Sequence, residues 1–214
     1  MNLFSVFDPS TGWISLNWLS MFMILKVLPN AFWNTPNKIM TLVIKCNSMI
    51  SKEMIMHTKM KEPLIIMMSV FMFIMINNLM GLLPYVFTAS SHLSFSLSIA
   101  LTMWLSMMLY GWKNKTNHMF SHLVPIGTPY LLMPFMIMIE TISNFIRPGS
   151  LAVRLTANMI AGHLLMTLLG NNSNMFVLTM FMWVFMILIM FEMAVAIIQS
   201  YVFMTLSTLY SSEV

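Results

Sequence analysis

Residues 175–210 read MFVLTMFMWVFMILIMFEMAVAIIQSYVFMTLSTLY, with Glu192 the single formal charge. At 1.5 Å per residue a helix over this stretch would be about 54 Å long, against a hydrocarbon core of about 30 Å. Such a run belongs in a bilayer, yet an ordinary tilt of about 20° does not accommodate it. It predicts a helix lying steeply tilted against something else. Upstream of the turn signal Asn171-Asn172-Ser173-Asn174, residues 120–170 form a second apolar-biased run. That run is interrupted by Pro125, Pro129, Pro134 and the pair Pro148-Gly149. Residues 120–210 therefore read as one long tilted helical hairpin.

Further toward the N-terminus, Leu64–Phe87 and Ser94–Trp112 are each long enough to cross a hydrocarbon core. The connection between them carries no formal charge, so 64–112 is expected to be a tight transmembrane hairpin. Before it lies Asn34–Glu62, in which Lys38, Lys45, Lys52 and Lys59 recur every seventh residue. On a helix that spacing keeps them on one stripe, drifting only about 20° per heptad. Ile39, Met40, Leu42, Val43, Met49, Ile50, Met56 and Met60 occupy much of the remaining surface. Residues 34–62 read as an amphipathic helix in the interface, its lysines toward anionic headgroups; a solvated loop with scattered lysines is the alternative. The positive-inside rule puts this segment, and Lys113 and Lys115, on the matrix or cytoplasmic side. A first span over 13–33, with Trp13, Trp18 and Trp33 near the interfaces, then starts from the opposite side.

Composition agrees. Apolar residues are 59% of the 214 and charged residues 7%, where soluble chains average about 25% charged. A surface so poor in charge does not face water. The expectation is a single-domain, all-α integral membrane protein with about five membrane-embedded helices plus one interfacial amphipathic helix. One cysteine, Cys46, excludes an internal disulfide framework and Cys-rich metal sites. The net charge of +4 does not suggest nucleic acid in so apolar a chain, and position matters more than the sum, since five of the eight lysines fall in one short stretch. The opening MNLFSVFDPSTGW lacks a basic n-region, a cleavage site and arginine, so insertion where the chain is made is expected. The 29 methionines are spread over every span rather than clustered as a copper site, and read as flexible apolar filling.

The informative residues are the charges inside the apolar runs: Glu140, Arg147, Arg154 and Glu192. Each costs roughly 2.5–3.5 kcal/mol at a helix centre on insertion scales. Glu140, Arg147 and Arg154 are spaced by seven, so one helix face carries all three unless Pro148 turns the register. Asn158 continues that face, and Gln199 follows Glu192 by seven. Ionisable groups within spans are functional candidates by default. Each also has a plainer reading: Glu140 with Arg147, or Glu192 with Arg154, as an ion pair locking helices, and His163 as a hydrogen-bonded core histidine. His118 and His122 have the spacing of half a metal site but no third ligand, and read as interfacial.

The stretch Ser150-Leu-Ala-Val-Arg154-Leu-Thr-Ala-Asn158-Met-Ile-Ala-Gly162-His163-Leu-Leu165 resembles the signature of subunit a of F-type ATP synthases, in its mitochondrially encoded form. Phe191-Glu192-Met-Ala-Val-Ala-Ile-Ile-Gln199-Ser-Tyr-Val-Phe203 is similar to that family's last helix. Asn78-Leu-Met-Gly-Leu-Leu-Pro84-Tyr85 and Ile139-Glu140-Thr-Ile-Ser143 match as well, so the resemblance covers essentially the whole chain.

What the resemblance implies is a stator subunit carrying a proton path beside a rotating ring of c subunits. The two long helices would be tilted against that rotor ring. Arg154 would be the essential arginine that meets each ring carboxylate and blocks direct leakage. His163 and Glu192 would belong to the inlet half-channel from the intermembrane space, and Glu140 to the outlet toward the matrix. Asn158 and Gln199 would be polar support; Arg147 takes no role from the signature. Partners would be the c-ring, other membrane-sector and peripheral-stalk subunits, protons, and anionic lipid such as cardiolipin at Lys38, Lys45, Lys52 and Lys59. No cofactor, metal or nucleic acid is implied, and no covalent catalysis by this chain. The location would be the mitochondrial inner membrane, N-terminus in the intermembrane space and C-terminus in the matrix. A mitochondrial code reading an extra codon as methionine would account for the methionine excess. The competing readings are another ion-coupled transporter or channel, which predicts internal repeats around a midplane site, and a scaffold subunit whose charges only bind helices together.

Overall fold

A computed structural model describes residues 3–10, 12–13, 15–23, 35–58, 62–124, 127–170 and 175–213. Every regular element among them is helical. Six α-helices follow in chain order: α1 Lys38–Thr58, α2 Glu62–Gly81, α3 Leu93–Asn114, α4 Thr116–His122, α5 Met133–Gly170 and α6 Met175–Glu213. Short 3-10 turns occupy Leu3–Phe7, Leu16–Met23, Ala89–Ser91 and Tyr130–Leu132. Four helices are long and apolar enough to cross a membrane, those built on α2, α3, α5 and α6. The expected first span, 13–33, falls largely outside the described residues; its described part is the turn Leu16–Met23.

Two helices, α2 and α3, occupy the stretch expected as a tight hairpin, but each packs chiefly on another helix, α2 on α6 and α3 on α5; α2 stops at Gly81 although the apolar run continues to Phe87. Hydropathy does not register the reason, which is local. Leu82 and Leu83 donate to the Leu79 and Met80 carbonyls in tightened turns, and Pro84 then has no N–H with which to continue a helix. Tyr85 takes a positive φ of 66°, reversing the chain. Thr88–Ser91 folds under the turn and is buried. Ser91 Oγ donates to the Thr88 carbonyl at 2.7 Å and lies 3.0 Å from Thr88 Oγ1.

Helices α5 and α6 have 38 and 39 residues, about 57 Å each at 1.5 Å per residue. Pro148 lies inside α5 without ending it, although its ring nitrogen has no hydrogen to give the Asn144 carbonyl. Hydroxyls along the helix bond back one turn, Ser143 to the Glu140 carbonyl at 2.9 Å and Ser150 to that of Arg147 at 2.9 Å. In apolar surroundings this satisfies the hydroxyl within its own helix.

Packing pairs α2 with α6 and α3 with α5, and α5 with α6. One core joins Ile74, Ala100, Leu151, Ala152, Leu155 and Phe203. A second joins Met54, Met67, Phe71 and Met204, and it refines the reading of 34–62. Helix α1 does carry exposed Lys38, Lys45 and Lys52 beside exposed Ile39, Leu42, Met49 and Met56. It also drives Met54, 1% exposed, between α2 and α6. Tyr201 on α6 donates to Glu53 Oε2 at 3.1 Å beside that contact. The helix is therefore keyed to the bundle as well as amphipathic. Lys59 lies outside the described residues.

Candidate functional site

Arg154 projects from the middle of α5 and is exposed. Among the described residues it makes no ion pair, so the alternative of an Arg154–Glu192 lock is not what forms. Its exposed neighbours on α5 include Ser150, Ala157 and Ala161, small side chains that leave the guanidinium open to whatever lies alongside. Asn158, one turn on, is half-buried.

Toward the C-terminal end of α5, Glu192 and His163 come together. Glu192 is 6% exposed and His163 9%. The Glu192 carboxyl group is seated directly on Gly162, where α6 crosses α5. A Cβ at Gly162 would fall 2.8 Å from Glu192 Oε1 and nearer still to Oε2 and Cδ. Only glycine admits the carboxyl group there. The ring of His163, the next residue, donates to the Gly81 backbone carbonyl at the end of α2, and Phe7 meets that ring edge-on at 6.0 Å between centroids. Its Nε2 is buried without a partner among the described residues. The plainer reading of His163 as a satisfied core histidine thus holds for one ring nitrogen and fails for the other. Gln199 lies two turns beyond Glu192 and is half-buried.

Two further polar groups belong to this end and were not singled out as site residues from the sequence. Asn78 on α2 is 1% exposed, and both atoms of its amide lack partners among the described residues. Ser90, wholly buried in the Ala89–Ser91 turn, has an unpartnered Oγ. The turn packs against α2, α3 and α5, and Thr88 and Met159 both approach Gly81. Buried polar atoms in such clusters are ordinarily met by ordered water. The available signal was the pair Asn77-Asn78, two amides late in an otherwise apolar helix. Asn77 bonds to its own helix at Phe73, which leaves Asn78 as the informative one.

Glu140 is elsewhere. It lies near the other end of α5, about 34 Å from His163 along the helix, so the structure does not gather the predicted residues into one site. Arg147 Nη2 is 3.9 Å from Glu140 Oε1, and the guanidinium carbon stands 5.0 Å from the centre of the Tyr210 ring. These groups border an open cavity of about 420 Å³ with Trp104 and Trp112 of α3 on its far wall. That end of α5 meets the C-terminal ends of α3 and α6 at Trp112 and Tyr210, and the His163 end meets Gly81 and the α2–α3 turn. Three of the four charges thus fall in two separate polar regions along α5, Glu140 with Arg147 in one and Glu192 in the other, and Arg154 stands between them. Leu151, Ala152 and Leu155, packed into the core, lie between Arg147 and His163.

The sequence model of the family described as ATP synthase A chain matches residues 11–212. The Anopheles gambiae protein named ATP synthase subunit a is 54% identical over 228 aligned positions, covering 100% of this chain and 98% of that one. Its Drosophila melanogaster counterpart of the same name is 55% identical over 226 positions and that of Locusta migratoria 52% over 221, with the same coverage.

Proposed function

Because the chain belongs to the ATP synthase A chain family, we propose that it is the proton-conducting stator subunit of the membrane sector of mitochondrial F-type ATP synthase. It works against a ring of c subunits in the inner membrane. The observation that carries this reading is Arg154, exposed on α5 and without an ion pair among the described residues, between two separate polar regions. A bare guanidinium on a lipid-facing helix costs a few kcal/mol; a carboxylate delivered by a neighbouring subunit removes that cost. Arginine suits the task because it stays charged when desolvated and does not itself relay protons at working pH.

Protons enter from the intermembrane space at the end of α5 that holds Asn78, Ser90 and His163. The unpartnered His163 Nε2 and the Asn78 amide hold water along this inlet, and Glu192 on Gly162 hands the proton to a ring carboxylate. The neutralised carboxyl group then leaves Arg154 and travels with the ring through lipid. On the far side the proton passes to Glu140 and so to the matrix. Asn158 and Gln199 are polar support beside Arg154 and Glu192. Each proton brings about 2.3 kcal/mol per 100 mV of membrane potential. ATP chemistry takes place on other subunits.

Helices as long as α5 and α6 lie obliquely in the bilayer and present a long face to the ring. The lysines of α1 meet anionic lipid such as cardiolipin on the matrix side, where Lys113, Lys115 and the C-terminus also lie; the N-terminus is in the intermembrane space. The test is Arg154→Ala in the assembled enzyme in inner-membrane vesicles. ATP synthesis and ring-coupled proton flux disappear while the complex still assembles. Survival of both would sink the mechanism and favour a scaffold role.

A further inference from the structure

The structure assigns a task to Arg147: it is a positioning residue for proton release, stationing a cation beside Glu140 at the mouth of a wet cavity. The inference rests on the reading of Glu140 as the outlet group. Three observations carry it. First, the Arg147–Glu140 separation of 3.9 Å is within ion-pair reach but beyond a hydrogen bond. The carboxyl oxygens stay open to a proton while the cation acts on them through space. A tight bidentate pair would occupy them instead.

Second, the guanidinium is held from across the bundle. It lies 5.0 Å from the centre of the Tyr210 ring on α6, within the range of a cation–π contact. Glu140 and Arg147 are both on α5, so the ion pair joins no two helices and is not interhelical glue. Its contact with Tyr210 does cross helices, and it helps to hold the cation in place.

Third, there is room for water. The cavity of about 420 Å³ is bordered by Glu140, Thr141, Asn144, Arg147 and Tyr210 on one side and Trp104 on the other, and the buried Trp104 Nε1 has no partner among the described residues. Among the described residues, Tyr210 is the one titratable group that lines it besides Glu140 and Arg147; α3 contributes tryptophan and methionine, and the α4 side contributes Met119 and Leu123. A proton reaching Glu140 from the ring is therefore passed on to cavity water.

The test uses the intact enzyme in inner-membrane vesicles, with proton flux measured against the pH on the matrix side. Arg147→Gln shifts the half-maximal point of that profile, modestly because the pair is partly exposed. Arg147→Lys, which keeps the charge, restores most of that shift. Glu140→Gln separates the two levels of the argument. If it leaves flux intact, the outlet reading fails and this inference with it. If it blocks flux while Arg147→Gln keeps the wild-type pH profile, the outlet stands and the role given to Arg147 is wrong. A loss of assembled enzyme in Arg147→Gln with an unchanged profile overturns it equally, since that is what a purely structural arginine would do.

Discussion

Gly162→Ala places one methyl group where the Glu192 carboxyl group now sits. The added Cβ would be 2.8 Å from Oε1 and closer to two other carboxyl atoms, whereas ordinary contact begins near 3.4 Å. The carboxyl group must retreat by roughly an ångström, or α5 and α6 must part by as much. A displacement of about 1 Å in a reacting group lowers a rate by on the order of a hundredfold, and a proton hand-over is as distance-sensitive as any such step. The expected result is a loss of that order in ATP-driven proton pumping and in passive flux, with the enzyme still assembled. Gly149→Ala is the internal control. It lies on the same helix with nothing within 4 Å of its added Cβ, so it keeps flux and gains about 1 kcal/mol of helix propensity. Wild-type flux in Gly162→Ala, within a factor of two, would show that the seat of Glu192 has no bearing on conduction.

Met54→Ala empties the key that α1 drives between α2 and α6. It should lower unfolding stability in detergent by about 2–4 kcal/mol; a change below about 0.5 kcal/mol would mean that α1 rests on lipid alone. Replacing Lys38, Lys45, Lys52 and Lys59 with glutamine should at least halve the anionic phospholipid retained per enzyme after a detergent wash, since each basic residue near such a surface contributes about 1 kcal/mol. Unchanged retention, counted by mass spectrometry, argues that the stripe faces protein or water.

Charges inside apolar runs were the most legible part of the sequence. Glu140, Arg147, Arg154 and Glu192 stand out because hydrocarbon makes each of them expensive, and the apolar run 175–210 gave nearly the whole of α6; the run 120–170 did not reveal that α5 starts only at Met133, after a separate short helix. What the pattern did not reveal depends on three-dimensional proximity. Gly162 carries no chemistry of its own, and its importance appears only when α6 lays a carboxyl group across it. Asn78 and Ser90 looked like ordinary members of a hairpin until neither found a partner. Apolar counting also ran past the end of α2, because a turn made by Pro84 and a left-handed Tyr85 looks as hydrophobic as the helix before it. The lysine period located α1 and its exposed stripe; the burial of Met54 required α2 and α6 to be in place.

The packed stretch Leu151, Ala152 and Leu155 has a consequence for how such a machine is built. On the mechanism proposed above, the two polar regions do not communicate through this chain, because close-packed aliphatic side chains stand between them along α5. On that mechanism, the chain without a rotor to carry the proton past that barrier would not conduct. It could then sit in an energised membrane during assembly, before a ring arrives, without discharging the gradient.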